Sequence, residues 1–203
     1  MDLNKRLQPR DSQVLKFIED TKVTNSNQIG KAFFKNLHPT VCMRRLKFLH
    51  EYSYVNRSRY KEGNGYTGYI YYPTDTKKPS KKILTHNLMV SDFYATMLEA
   101  QIEVLSFKPT YMIGNIIADA YIKYKGNDGV IRRAFLEVQR SGKISDCVLK
   151  YKDIKSVIMK EKNWNTMPRL IVMTDLKDEK ITLRHINIIY CNTELKNIRG
   201  VLF

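Results

Sequence analysis

HPTVCMRRLKFLHEYSYVNRSRYKEGNGYTGYIYY, residues 38–72, passes from one periodicity to another, and that passage decides the fold of the first part of the chain. His38-Pro39 opens a helix with proline at its favoured first position. Cys42, Leu46 and Leu49 then recur at i, i+4, i+7, which puts them on one face. Thr40, Arg44, Lys47 and Glu51 take the opposite face, with Arg45 on the flank. From Tyr54 the pattern changes. Two aromatic-rich runs, Tyr54–Tyr60 and Tyr66–Tyr72, flank Glu62-Gly63-Asn64-Gly65, the signature of a β-hairpin.

Two further helices precede this stretch. Asp11 or Ser12 is a candidate cap for a helix carrying Val14, Leu15 and Ile18. Asn25, followed three residues later by Gln28, resembles a capping box, with Ile29, Ala32 and Phe33 behind it. Helix, helix, helix and hairpin within about 65 residues predict a winged helix-turn-helix over residues 1–72. In such a module the polar face of the third helix can lie in a DNA major groove. Thr40, Arg44, Arg45 and Lys47 are its candidate DNA-contacting residues. Arg57, Arg59 and Lys61 on the hairpin, and Lys5, Arg6 and Arg10 on an N-terminal arm, are candidate phosphate contacts. The competing reading is a solvated cationic face on a protein–protein adaptor.

The charge distribution favours a polyanion. The 203 residues hold 35 Lys+Arg and 20 Asp+Glu, a net +15. Residues 1–82 carry 17 cations and 7 anions, so two thirds of the excess lies in two fifths of the chain. Pro73–Lys82, PTDTKKPSKK, reads as a basic linker, extended here to 73–85, with a second domain over 86–203. Hydrophobic content of 43% is enough for a core. No run approaches the roughly 20 apolar residues of a membrane span, and MDLNKRLQPR lacks the apolar region of a secretory signal. Three scattered cysteines and four unclustered histidines make neither a disulfide framework nor a zinc site. The expected setting is cytoplasmic.

The second part reads as a small three-layer α/β domain, so the chain as a whole is expected to be an α+β or α/β two-domain protein. Asn87–Ala100 is amphipathic, through Met89, Phe93, Met97 and Ala100. Strand-like runs follow at Ile102–Phe107, Asn115–Tyr124 and Val130–Arg140, then a helix from Lys143 to Lys160 striped by Cys147, Tyr151, Ile154 and Ile158. Leu170–Thr174 and Ile186–Cys191 are further strands. Strand alternation puts Asp119 with Tyr121 and Lys123, and Glu137 with Phe135 and Gln139. A hairpin between these strands would bring the two carboxylates together, a donor type that suits Mg²⁺. Such a metal activates water for phosphodiester cleavage. The alternative is a structural pair matched to Lys123 or Arg140.

Asp119, then Glu137-Val138-Gln139, then a Lys150-Tyr151 helix, resembles the core of the PD-(D/E)xK nuclease superfamily, a restriction-endonuclease-like fold. The resemblance implies catalytic roles for Asp119, Glu137 and Gln139, with Glu99 as the acid of the first helix. Gln139 stands where that pattern has lysine, and Ala118 where it has proline.

Joined to the winged helix, His86, Leu88, Val90, Asp92, Phe93 and Tyr94, then Ala118-Asp119-Ala120, then Phe135–Arg140, are similar in order to the replication-relaxation family of plasmids and other mobile elements. The position of Gln139 is usually Asp in that family. This resemblance implies DNA handling in replication, relaxation or transfer, with double-stranded DNA and replication or transfer proteins of the same element as partners. A homodimer on a palindromic site is the expected assembly. Three functions compete: sequence-specific DNA binding without catalysis in the replication, transfer or transcription of a mobile element; Mg²⁺-dependent DNA cleavage or nicking through Asp119 and Glu137; and a protein–protein adaptor on a degenerate nuclease fold.

Overall fold

Local hydrogen bonding starts each N-terminal helix. The computed structural model describes residues 6–62, 66–162, 164, 166–177, 180–196 and 198–203. Helix α1 (Pro9–Thr21) begins with Pro9, and Asp11 is not its cap. Asp11 sits one turn in, and its carboxylate reaches back to accept the Gln8 N–H at 2.5 Å. Asn25 caps α2 (Ser26–Phe33) through the expected reciprocal pair. Asn25 Oδ1 accepts the Gln28 N–H at 3.0 Å, and Gln28 Oε1 accepts the Asn25 N–H at 3.1 Å. Helix α3 (Pro39–Glu51) starts after His38, whose ring nitrogen accepts the Thr40 N–H at 3.4 Å. Cys42, Leu46 and Leu49 are buried, as their spacing predicts.

Strand β1 (Thr24–Asn25) and the hairpin strands β2 (Asn56–Glu62) and β3 (Tyr66–Tyr72) pair antiparallel in the order β1-β3-β2. The Gly63-Asn64-Gly65 turn lies outside the described residues. Ile70 and Tyr72 are buried with Val23.

That apolar face corrects the expected domain boundary. Helix α4 (Lys81–Glu99) starts inside the proposed 73–85 linker, and only residues 73–80 are irregular. Leu84 and Leu88 join Val23, Ile70 and Tyr72 in one apolar cluster. Gln28 Nε2 donates to the Leu88 carbonyl at 2.6 Å, and the Ser91 hydroxyl donates to the Val23 carbonyl at 2.5 Å. The Phe17 and Tyr94 rings meet at 5.1 Å. The amphipathic helix expected at the head of a second domain from residue 86 therefore completes the first core. The chain divides into units at Met1–Glu99 and Ala100–Phe203.

In the second unit β4 (Glu103–Ile113), β5 (Ile116–Lys125) and β6 (Ile131–Val138) run antiparallel. Strand β7 (Arg169–Met173) then pairs parallel with β6, and β8 (Ile188–Cys191) parallel with β7. The architecture is mixed α+β, with the sheet order β4-β5-β6-β7-β8. Gly129, at φ +77°, closes the β5–β6 turn in a conformation that favours glycine. The expected Lys143–Lys160 helix is broken. Helix α5 (Ile144–Leu149) ends, and α6 (Ile154–Glu161) restarts after Asp153, a residue type favoured at a helix start. The apolar stripe survives the break. Cys147, Tyr151, Ile154 and Ile158 pack with Tyr121, Phe135, Leu170 and Val172. Helix α7 (Ile198–Leu202) ends beside Tyr124, whose hydroxyl donates to the Leu202 carbonyl at 3.0 Å. No helix among the described residues is long and apolar enough to cross a membrane.

One ion pair ties α1 to α3. Arg45 Nε donates to Asp11 Oδ1 at 2.7 Å, and a second guanidinium nitrogen donates to Oδ2. The Arg45 and Asp11 side chains are only 11% and 1% exposed. Removing one partner strands a buried charge. Asp11→Ala is expected to lower stability by about 3 kcal/mol in urea denaturation. Arg44→Ala, at an exposed neighbouring position, should change it by less than about 0.5 kcal/mol.

Candidate functional site

The cations named from the sequence divide by what they touch. Thr40, Arg44 and Lys47 are exposed on α3, opposite its buried stripe. Lys47 has an i,i+4 partner in Glu51 at 3.5 Å, but both side chains are more than half exposed, and such a pair contributes little. Arg45 is a correction. Its guanidinium is held by Asp11 and lies 4.2 Å over the Phe48 ring, so it serves the fold of the first unit rather than an open surface. On the N-terminal arm, Arg6 lends its carbonyl to Arg45 at 2.6 Å. Arg10 is exposed, 5.0 Å over the Phe34 ring. Lys5 lies outside the described residues.

On the hairpin, Arg57, Arg59 and Lys61 share one face of β2, opposite Tyr71, Tyr69 and Thr67 of β3. The face is covered at its base. Tyr71 is 3% exposed, and its hydroxyl is pushed up to about 12, by burial first and against the pull of Arg57. It opens toward the tip, where Arg59 and Lys61 are exposed. One ring holds both arginines. The Arg57 guanidinium lies 4.8 Å over Tyr69, and Arg59 Nε donates to the Tyr69 hydroxyl at 3.4 Å. That hydrogen bond draws the Tyr69 hydroxyl below its ordinary value. The part played by Tyr69 was missed. The period-two pattern that marks the strand shows its face, but the cross-strand partner follows only from the register.

In the second unit the structure does bring Asp119 and Glu137 together. The β5–β6 ladder ends at Ala120 and Leu136, and just beyond it Asp119 Oδ2 accepts the Val138 N–H at 2.7 Å. Glu137 is 4% exposed. Its Oε1 accepts from the Tyr151 hydroxyl at 2.5 Å and its Oε2 from Lys150 Nζ at 2.7 Å. Lys150 Nζ also donates to the Ile117 carbonyl at 2.9 Å. The cation beside Glu137 is therefore Lys150, not Lys123 or Arg140. Gln139 turns away from the pair. Its amide donates to the Ser141 carbonyl at 2.5 Å, inside the turn before α5. Glu99, expected as a third acid, closes α4 of the first unit.

The geometry fits Mg²⁺ poorly. Both oxygens of Glu137 are engaged by protein donors, one of them an ammonium, which repels a second cation. Among the described residues no third acid, histidine or cysteine joins the pair in a metal-binding group. Burial, then Asp119, raises Glu137 to about 7 against the opposing pull of Lys150 and Tyr151, so a proton also competes for the site. Burial, with Glu137 alongside, pushes the Tyr151 hydroxyl upward as well, so Tyr151 stays a hydrogen-bond donor. Asp119, Glu137, Lys150 and Tyr151 together staple the ends of β5 and β6 to the α5–α6 break. Periodicity placed Tyr151 on an apolar stripe, and only a resemblance linked Lys150-Tyr151 to the carboxylates, because a reach of 13 or 14 residues back to Glu137 has no local signature. No protein-family model, curated protein or solved structure matches the chain.

Glu137 gives the second unit a pH dependence of definite sign. Its folded value of about 7 exceeds the ordinary 4.5. Its contribution is complete below pH 4.5, declines as the unfolded chain alone ionises, and is lost as pH passes 7. Thermal melts from pH 5 to 8 should show the wild-type midpoint falling relative to Glu137→Gln across the lower part of that window. Parallel profiles for the two proteins would contradict this assignment.

Proposed function

We propose that the chain is a DNA-binding protein whose first unit works as a winged helix. α3 presents Thr40, Arg44 and Lys47 to the duplex, while Arg57, Arg59 and Lys61 on the hairpin run along its backbone. The observation that carries this reading is the ordered row of cations on one face of β2, beside a helix whose apolar side is committed to the core. A row of cations on a fixed strand suits a regularly spaced polyanion better than a merely solvated surface does. The local excess supports it, with 17 Lys+Arg against 7 Asp+Glu in residues 1–82. The sequence resemblance to replication-relaxation proteins supplies the setting we propose, a plasmid or other mobile element.

Cleavage by the second unit has weaker support, because the carboxylates expected to hold a metal are spent on Lys150, Tyr151 and Val138. We propose a structural role for that cluster.

Two measurements test these readings. Arg44→Ala combined with Lys47→Ala should weaken duplex binding about tenfold. It should also reduce the slope of log affinity against log salt by up to about 2, near 0.9 for each lost phosphate contact. Wild-type binding that ignores salt would remove the basis of the proposal. Supercoiled plasmid incubated with the protein and Mg²⁺ or Mn²⁺ should stay supercoiled. Relaxation that Asp119→Ala abolishes would restore the nuclease reading.

A further inference from the structure

We propose that Tyr69 is the positioning residue of a phosphate-binding row on β2, setting the Arg57 and Arg59 guanidiniums to grip the phosphodiester backbone of one DNA strand. This inference rests on the DNA-binding reading and names the part of the duplex the hairpin takes.

Three observations meet on one side chain. Tyr69 lies directly across from Arg59 and diagonally from Arg57, positions from which a cross-strand ring can be reached. Its ring lies under the Arg57 guanidinium at 4.8 Å, and the Tyr71 hydroxyl takes a hydrogen bond from the same guanidinium, so Arg57 is held from the ring side and from the base of the face. Its hydroxyl takes the Arg59 Nε proton at 3.4 Å, and among the described residues the two terminal nitrogens of Arg59 take no further partner, a fork that suits an oxyanion. An exposed arginine ordinarily gives up much rotamer freedom when it binds. Here one rigid ring has already removed part of that freedom from two of them.

The spacing points to a backbone rather than to bases. Alternate residues of an antiparallel strand stand about 6.8 Å apart. That is a step of the same order as the one between successive phosphates of a nucleic-acid strand. Arg57, Arg59 and Lys61 occupy three positions in line, separated by two such steps. A base edge would call for a side chain projecting into a groove, whereas this row lies flat along a strand. The row is therefore expected to bind without sequence preference and to position α3, which reads the bases.

The test uses the full chain and a labelled random-sequence duplex, with affinity measured across a salt series. Tyr69→Leu should weaken binding roughly three- to tenfold, the combined effect of an exposed cation–π contact and a hydrogen bond. Tyr69→Phe keeps the ring and should lose only part of that. Both are outer-face substitutions, and their thermal midpoints report whether the fold is kept; Tyr69→Phe serves if Tyr69→Leu does not fold. The decisive readout is coupling. Added to Arg57→Ala with Arg59→Ala, Tyr69→Leu should cost nothing further, because the groups it positions are gone. A loss that persists undiminished in that background, or Tyr69 variants that bind as the wild type does, would overturn the proposal and leave DNA binding intact. Wild-type protein that binds no duplex would overturn both.

Discussion

The pairing of β3 on both of its edges is the constraint from which the first unit follows. β1 fixes Ile70 opposite Asn25, and β2 fixes it opposite Ser58. Because side chains alternate, that register sends Ile70 and Tyr72 inward and leaves Arg57, Arg59 and Lys61 with Tyr69 on the other face. A slip of one residue would bury the arginines and expose the isoleucine. The register is held from both sides, and the apolar penalty for slipping rests on the contacts that Val23, Leu84 and Leu88 make with Ile70 and Tyr72. The order of the cationic row is thus a by-product of burying its opposite face.

Neighbouring charges meet different fates for the same geometric reason. Arg44 and Arg45 differ by 100° around α3, and that rotation carries one to solvent and the other to Asp11. Glu137 and Gln139 alternate onto one face in principle, yet β6 ends at Val138, so Gln139 is free to turn into the loop and bond with Ser141. In both cases composition and periodicity name the right neighbourhood, and the end or flank of an element decides which residue acts.

This explains what could be read from the sequence. The capping box at Asn25 and Gln28, the α3 stripe and the hairpin were legible because each depends on residues a few positions apart. The approach of Asp119 to Glu137 was legible because the turn at Gly126–Gly129 fixes the pairing that follows it. The owner of α4 was not legible. An amphipathic helix announces that it needs an apolar partner, but Leu84 and Leu88 carry no mark that they will meet Ile70 and Tyr72 rather than the strands that follow. Lys150 as the partner of Glu137 was hidden likewise. Its ammonium is placed by a break between helices that no proline or glycine signals.

The position of α4 also determines where this protein can be divided. The prolines and lysines of residues 73–80 look like the natural cut. A fragment ending there would lose Leu84 and Leu88, leaving Val23, Ile70 and Tyr72 as a sticky apolar surface. The division that keeps Leu84 and Leu88 with the core they complete lies after Glu99.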